Sequence, residues 1–328
     1  MCGFFIKISE KKLSKIKISE IKESLYNRGP DFNSHINIKD FSGNYIDMIH
    51  TRLAISGLGE SGSQPMENDK YILLFNGEIY NYSSLSDLIS KDYKNEGDTK
   101  VLLDLFTKFG IEFTLKIISG IFSIALLDKK SKKLFLHRDL FGTKPLYIYL
   151  DDKSFSVSSN VQSIRLANNK RIGELNELGE LFFLLFGYTF VSKKTTNNLF
   201  ELTPGVIFEF DISDFSFDSR KIKYDLDQSK YSQYWEKEII DTYNSDVPIS
   251  ILLSGGVDST YIASLNNKTQ IKDITTFTLK NKSGSNFIDV EKAKSISKCL
   301  KLKNKIIEID NKYLNEEIDL FIQNMEYP

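Results

Sequence analysis

The chain opens MCGFFIKISEKK (residues 1–12), a thiol set directly ahead of a strand-like run. FFIKI (4–8) is built from aromatic and β-branched residues, the composition of a buried strand. With Met1 removed, the Cys2 thiol and the α-amine of the chain sit on one residue. An α-amine titrates near ~8, far below lysine, so much of it is neutral near pH 7 and can accept the thiol proton. One residue then supplies nucleophile and base, and Gly3 lets the backbone pass close to a substrate. Taken alone, the same cysteine reads as an inert packing residue. Its surroundings decide between the two.

Outward from that strand, YILLFN (71–76), IFSIALLD (121–128), KLFLHRD (133–139) and PLYIYL (145–150) repeat the strand composition. Turn signals stand at Asn76–Gly77, Glu96-Gly97-Asp98 and Phe141–Gly142. Helical patterns interrupt at 83–92 and 98–109, the second with Asp98 placed to cap it. Such a mixture predicts stacked α and β layers rather than a parallel βαβ run. ELFFLLFGYTFV (180–191), the longest apolar candidate, reads as a buried helix and not a span. PGVIFEFD (204–211) reads as a strand, and the polar stretch after it marks a boundary. We expect a first domain over 1–213, a linker over 214–228 and a second domain over 229–328.

The second domain alternates: helix (229–243), strand VPISILL (247–253), helix STYIASL (259–265), strand ITTFTL (274–279), helix (287–300), strand NKIIEI (304–309), and the start of a helix in NEEIDLFIQNMEYP. This is the pattern of a parallel, doubly wound sheet. Within it ILLSGGVDST (251–260) runs a strand through Ser-Gly-Gly into a helix. Successive N–H groups of such a turn form an anion nest, and the helix N-terminus adds positive dipole. The arrangement suits a pyrophosphate, with Asp258 placed to hold Mg²⁺ beside it. No GxxxxGK[ST] occurs, so γ-phosphate transfer is disfavoured.

Bulk composition narrows the partners. The 328 residues carry 43 basic and 44 acidic side chains, a net charge of -1, with 41% apolar and 27% charged residues. Neither nucleic acid nor a membrane is indicated, and small molecules are the default. Two cysteines, Cys2 and Cys299, make no disulfide framework, which favours a cytoplasmic setting; Cys299 reads as helix packing. The apolar start is too short for a signal peptide. His50 and His137 read as core residues, and no His/Cys spacing suggests a metal site.

Around Cys2 stand RGPD (28–31), HTRLAIS (50–56), QPM (64–66), FNGEIYNY (75–82), EGDTKVLL (96–103) and HRDLFGTKPLYIY (137–149). This ordered set resembles the class II glutamine amidotransferases, and most closely the glutamine-hydrolysing asparagine synthetases, over essentially the whole chain. The SGGVDS stretch resembles the PP-loop of ATP pyrophosphatases. The resemblance implies an α+β N-terminal-nucleophile (Ntn) hydrolase sandwich (αββα), followed by an incomplete α/β doubly wound parallel-sheet PP-loop domain. It implies Cys2 as nucleophile, Asn76 (side-chain amide) and Gly77 (backbone N–H) as oxyanion hole, Arg52 on the glutamine carboxylate, and Glu78 and Asp98 on its ammonium. For ATP it implies Leu253, Ser254, Gly255, Gly256, Asp258, Ser259 and Leu279, with Mg²⁺ on Asp258 and no tightly bound prosthetic group.

Plainer readings stand beside these. Arg52 reads also as a surface ion pair, Asn76–Gly77 as a type I′ hairpin turn, and Asp98 as a helix N-cap. Arg138 and Asp139 read as an internal ion pair. Asn27 stands where the family has His, and Ser159-Asn160 then Gln162 where it has Ser-Glu then Lys, which bears on coupling between the domains. The activity implied is glutamine hydrolysis feeding ammonia to ATP-dependent amidation of aspartate through an acyl-adenylate. No SGEGxDE-type loop occurs in the 328 residues, so the chain alone is expected to hydrolyse glutamine without making asparagine. An ammonia-donating part of a split enzyme acting on another carboxylic acid, such as an envelope sugar or a peptide, stays open. So do a non-catalytic glutamine- and ATP-binding relic, a second polypeptide carrying the rest of the synthetase domain, and a homodimer.

Overall fold

The computed structural model describes residues 2–325 except 41–42, 90–92, 94–95, 169–171, 190–191, 193–194, 225–230, 244, 270–273 and 283–286, and leaves aside the side chains of 231–233, 287, 314 and 323–324. It divides into two compact units, Met1–Tyr224 and Asp225–Met325. The expected helix end at 90–92 and helix start at 229–230 lie outside the described residues.

In the first unit the chain runs β1 (Gly3–Ser9), α1 (Lys15–Leu25), β2 (Phe32–Lys39), β3 (Tyr45–Arg52), β4 (Met66–Glu67), β5 (Tyr71–Ile79), α2 (Tyr82–Ile89), α3 (Gly97–Phe109) and α4 (Ile111–Ile117). It continues through β6 (Gly120–Asp128), β7 (Lys133–Arg138), β8 (Tyr147–Asp151), β9 (Ser154–Ser158), α5 (Val161–Asn168), α6 (Glu177–Phe186), β10 (Leu199–Glu201), β11 (Val206–Asp211) and β12 (Phe217–Lys221). Two six-stranded sheets result, ordered β10-β8-β9-β1-β3-β2 and β12-β11-β7-β6-β5-β4. Their pairings are antiparallel.

Strand alternation assigns each side chain to a layer. Phe4, Ile6 and Ile8 of β1 pack with Ile72 and Leu74 of β5 and Ala125 and Leu127 of β6 in the core between the sheets. The ring of Phe155 stacks there on Phe210, centroids 4.0 Å apart. On the far side of the first sheet, Phe5 and Ile49 pack with Ile21 and Leu25 of α1 and Ile164 of α5. On the far side of the second, Leu73 and Phe75 pack with Val101, Leu105 and Phe106 of α3. The layers are therefore α-β-β-α, the sandwich order that the resemblance implies. β1 is buried on both faces, which is why FFIKI reads as a near-continuous apolar run.

Four local expectations need correcting. Asn76–Gly77 is no hairpin turn: both lie inside β5, paired with Ser123 and Phe122 of β6. Asp98 is not the cap of α3, whose N-cap is Glu96; Asp98 sits in the first turn, buried, and accepts from the Ile79 N–H at 2.9 Å. Arg138 and Asp139 are not paired with each other: Arg138 is the last residue of β7, and Asp139 lies just beyond it. Arg138 instead meets Glu201 at 3.0 Å and donates to the carbonyls of Lys144 and Leu202, while Asp139 accepts from the N–H groups of Phe122 and Phe141. Finally, α6 is not buried: Leu184 is 80% and Leu185 66% exposed. Only Gly179 packs closely, with room for no Cβ against the Thr195 carbonyl. An unforeseen strand, β12, lies in the stretch read as a linker.

The second unit runs α7 (Tyr231–Asp241), β13 (Ser250–Leu252), α8 (Val257–Leu265), β14 (Thr275–Asn281), α9 (Phe287–Cys299), β15 (Lys303–Ile309) and α10 (Asn311–Asn324). Its three strands form a parallel sheet in the order β13-β14-β15. Tyr243, Ile251, Leu253, Ala263, Ile274 and Ala293 make its small core. Cys299, the last residue of α9, is exposed and not packed as expected. Among the described residues no helix is long and apolar enough to cross a membrane.

Candidate active site

Cys2 stands just ahead of β1, an interior strand of the first sheet, and half-buried. Its thiol donates to the Leu53 carbonyl at 3.7 Å. Ser159 holds the start of β1 on the other side: its Oγ accepts from the Phe4 N–H at 3.2 Å, and its N–H donates to the Phe4 carbonyl. The family departure at Ser159-Asn160 thus serves the first unit itself, with Asn160 donating to the Ser24 carbonyl at 2.9 Å. Burial pushes the Cys2 thiol up, and the carboxylates of Glu78 and Asp98 push it the same way. The structure therefore brings Cys2, Glu78 and Asp98 into one electrostatic neighbourhood.

Asn76, Gly77 and Glu78 are consecutive on β5. Asn76 is fully buried, and neither its Nδ2 nor its Oδ1 has a hydrogen-bond partner. An orphaned buried amide is costly, so its persistence at one place calls for a ligand or a neighbour that engages it. Gly77 admits no side chain, since a Cβ there would lie 2.1 Å from the Ile121 carbonyl. Burial pushes the Asp98 carboxyl up to about 6, against the opposing pull of the Ile79 N–H.

Arg52 ends β3, buried at 4% exposure with its guanidinium over the Phe32 ring. It donates to the carbonyls of Gly59 at 2.6 Å, Ser56 at 3.0 Å and Gly57. Of the five N–H donors on a guanidinium, these bonds use three and leave two for another acceptor. The surface ion-pair reading fails, because the group is buried on backbone carbonyls. RGPD fastens this strand: Gly29 sits backbone to backbone on Thr51, where a Cβ would come within 2.4 Å, and the Asp31 carboxylate accepts from the Ala54 N–H. In QPM, Gln64 Oε1 accepts from the Phe75 N–H at 2.6 Å.

His50 and His137 are both buried and neutral, their rings pulled down to about 3 and about 4 by desolvation. Lys144, within TKPLYIY, escaped the sequence reading. It is only 7% exposed, and burial lowers its ammonium while Glu78 and Cys2 favour the charge. A lysine set immediately ahead of the apolar run PLYIYL (145–150) was the available signal.

In the second unit the glycine turn is built as drawn from sequence. Gly255 has φ 84°, and a Cβ there would lie 2.8 Å from the Asp289 carbonyl. Ser254 Oγ accepts from the Gly256 N–H at 3.3 Å and lies 3.0 Å from Ser259 Oγ. Gly256 is the N-cap of α8, and Asp258 lies in its first turn. Leu253 is buried in the core while Leu279 is 52% exposed, so only Leu279 offers a side chain to a ligand. Among the described residues no cluster of three or more His, Cys, Asp or Glu could hold a metal alone. A lone Asp258 carboxylate fits Mg²⁺ only as a cation carried mainly by phosphate oxygens and water.

Comparison with known proteins agrees with this division. The glutamine amidotransferase domain model matches residues 1–222, and the asparagine synthase model matches residues 239–328. Asparagine synthetase (glutamine-hydrolyzing) 1 of Bacillus subtilis is 28% identical over 339 residues, covering 96% of this chain and 51% of the relative. Asparagine synthetase (glutamine-hydrolyzing) of Sandersonia aurantiaca is 30% identical over 273 residues, covering 81% of this chain and 46% of the relative. The chain thus spans about half the length of these curated relatives. Among solved structures, the glutamine phosphoribosylpyrophosphate amidotransferase of B. subtilis, complexed with ADP and GMP, superposes with TM-score 0.50 at 14% identity, covering 93% of this chain and 65% of that one. With a model matched over its first 222 residues, the chain belongs to the glutamine amidotransferase domain family, joined here to part of an asparagine synthase domain.

Proposed function

We propose that the first unit hydrolyses glutamine at Cys2 and that the ammonia serves ATP-dependent amidation of aspartate. The observation that carries the reading is the buried Asn76 amide, unpartnered on β5 two residues from Glu78, whose carboxylate lies in the charge neighbourhood of Cys2. With Met1 removed, the α-amine of Cys2 takes the thiol proton. The sulfur attacks the side-chain amide carbon of glutamine, and the carbonyl oxygen becomes an oxyanion facing Asn76 Nδ2 and the Gly77 N–H. The proton passes to the leaving nitrogen, ammonia departs, and a glutamyl thioester remains for water to cleave to glutamate. Arg52, held by backbone carbonyls, offers a remaining N–H and its charge to the α-carboxylate. Glu78 and ionised Asp98 hold the ammonium. The thiol pushed up by burial explains the need for a base on the same residue.

In the second unit, Ser254, Gly255, Gly256 and Ser259 cradle the pyrophosphate of ATP at the N-terminus of α8, with Leu279 beside the nucleoside. Asp258 would share Mg²⁺ with the phosphates, and that charge would ease departure of pyrophosphate. A carboxylate is a poor electrophile, and adenylation gives aspartate the leaving group that ammonia displaces. The test measures glutamate released from glutamine by wild type and Cys2→Ala. Release by wild type and none by the variant is expected; equal rates would sink the hydrolase reading. ATP–pyrophosphate exchange, with and without aspartate, tests the second unit separately.

A further inference from the structure

The geometry points to Ser123 as a positioning residue that orients the Asn76 carboxamide toward the oxyanion. This rests on the reading of Asn76 as an oxyanion donor. The two residues are direct partners in the β5–β6 register. Both are 0% exposed, and Ser123 Oγ, like both polar atoms of the amide, has no hydrogen-bond partner. Side chains directly opposite on one face have Cβ atoms about 4.5–5.5 Å apart, so a χ1 rotation brings a serine hydroxyl to an opposing amide.

Of the neighbours two residues away along that face, Leu74 and Ala125 belong to the apolar core between the sheets, and Glu78 is the carboxylate assigned above to the substrate ammonium. Across the other edge of β6, Ser123 pairs with Arg138, whose guanidinium is committed to the carbonyls of Lys144, Gly142 and Leu202 and to Glu201. A guanidinium also has no acceptor for a hydroxyl proton. Asn76 Oδ1, unpartnered and directly opposite, is thus the acceptor that a χ1 rotation of Ser123 brings within reach of its Oγ–H. With Oδ1 engaged, Nδ2 turns its N–H toward the substrate oxygen. The flipped amide would set Oδ1 against the developing negative charge and oppose the reaction. Ser123 acts through Asn76 and touches no reacting atom.

Glutaminase kinetics on the full chain test this with Ser123→Ala, Ser123→Thr, Asn76→Ala and the Ser123→Ala/Asn76→Ala pair. Ser123→Ala should lower kcat about tenfold (~1.4 kcal/mol) with KM unchanged. Ser123→Thr, which keeps the hydroxyl, should restore most of kcat. On the Asn76→Ala background the serine change should add no further loss. An unchanged kcat, a threonine variant as slow as alanine, or an equal loss without Asn76 would overturn the proposal. If wild type releases no glutamate, the hydrolase reading fails, and an experimental structure of the wild-type chain still decides the contact. Ser123 Oγ should lie about 2.8 Å from Asn76 Oδ1. An Asn76 amide bonded elsewhere would refute it.

Discussion

Asp98→Asn separates what the buried carboxylate does for binding from what it costs the fold. Asp98 is 4% exposed, and its carboxyl is pushed from 3.8 to about 6, chiefly by burial. That difference corresponds to ~3 kcal/mol between the two protonation states. The sign follows from linkage: the folded chain binds the proton more tightly than the unfolded one, so stability is greatest below the unfolded value and falls as pH rises through about 6. Asparagine keeps an oxygen for the Ile79 N–H and sheds the charge. At pH 7.5 the variant should gain about 2–3 kcal/mol, a Tm rise of roughly 4–10 °C for a unit of this size. Near pH 4 the gain should shrink below about 1 kcal/mol, because the carboxyl is then neutral in the fold. Calorimetry of the first unit's transition in the full chain at both pH values reads this directly. The same variant should bind glutamine weakly, its ammonium having lost a counter-charge. A variant destabilised at pH 7.5, or stabilised equally at both pH values, would refute the reasoning.

Gly77→Ala should abolish glutamine hydrolysis and lower Tm, since its Cβ would press on the Ile121 carbonyl 2.1 Å away; a fully active, stable variant would contradict the paired geometry of β5. Arg138→Met leaves Glu201 and three carbonyls without their buried donor and should cost about 3–5 kcal/mol, read by urea unfolding. Gly255→Ala combines a left-handed φ of 84° with a 2.8 Å clash. It should weaken ATP binding by calorimetric titration at least tenfold, or ~1.4 kcal/mol, while leaving glutamate release untouched.

Much of the first unit was legible because β1 is apolar on both faces and the motifs fall in order along the chain. The Asn76–Gly77 signal misleads as a turn because it counts only local preference. Nine residues of β5 pair continuously with β6, and those bonds outweigh the dipeptide's bias. The Arg138–Asp139 pair failed because adjacency does not show what else each group can reach: Arg138 ends β7 on Glu201 and backbone carbonyls, while Asp139 just beyond it accepts from backbone N–H groups. α6 shows a further limit. Its run Leu181–Phe186 is six apolar residues without a break, so periodicity there names no face, and composition alone predicted burial that the described structure does not supply. Lys144 was missed because a lysine's burial depends on strands distant in sequence.

The order of strands around β1 has a consequence for biosynthesis. β1 is the first strand to leave the ribosome, yet one of its two neighbours is β9, with Phe5 paired to Ser158. At about 5–20 residues per second, the partner that closes that edge emerges on the order of ten seconds after Cys2. Until then Cys2 rides on a strand with one open edge, lacking both Ser159 and the β6 partner of Asn76. Under the proposed reading, a nascent chain gains its glutamine site only once most of its first unit has been made.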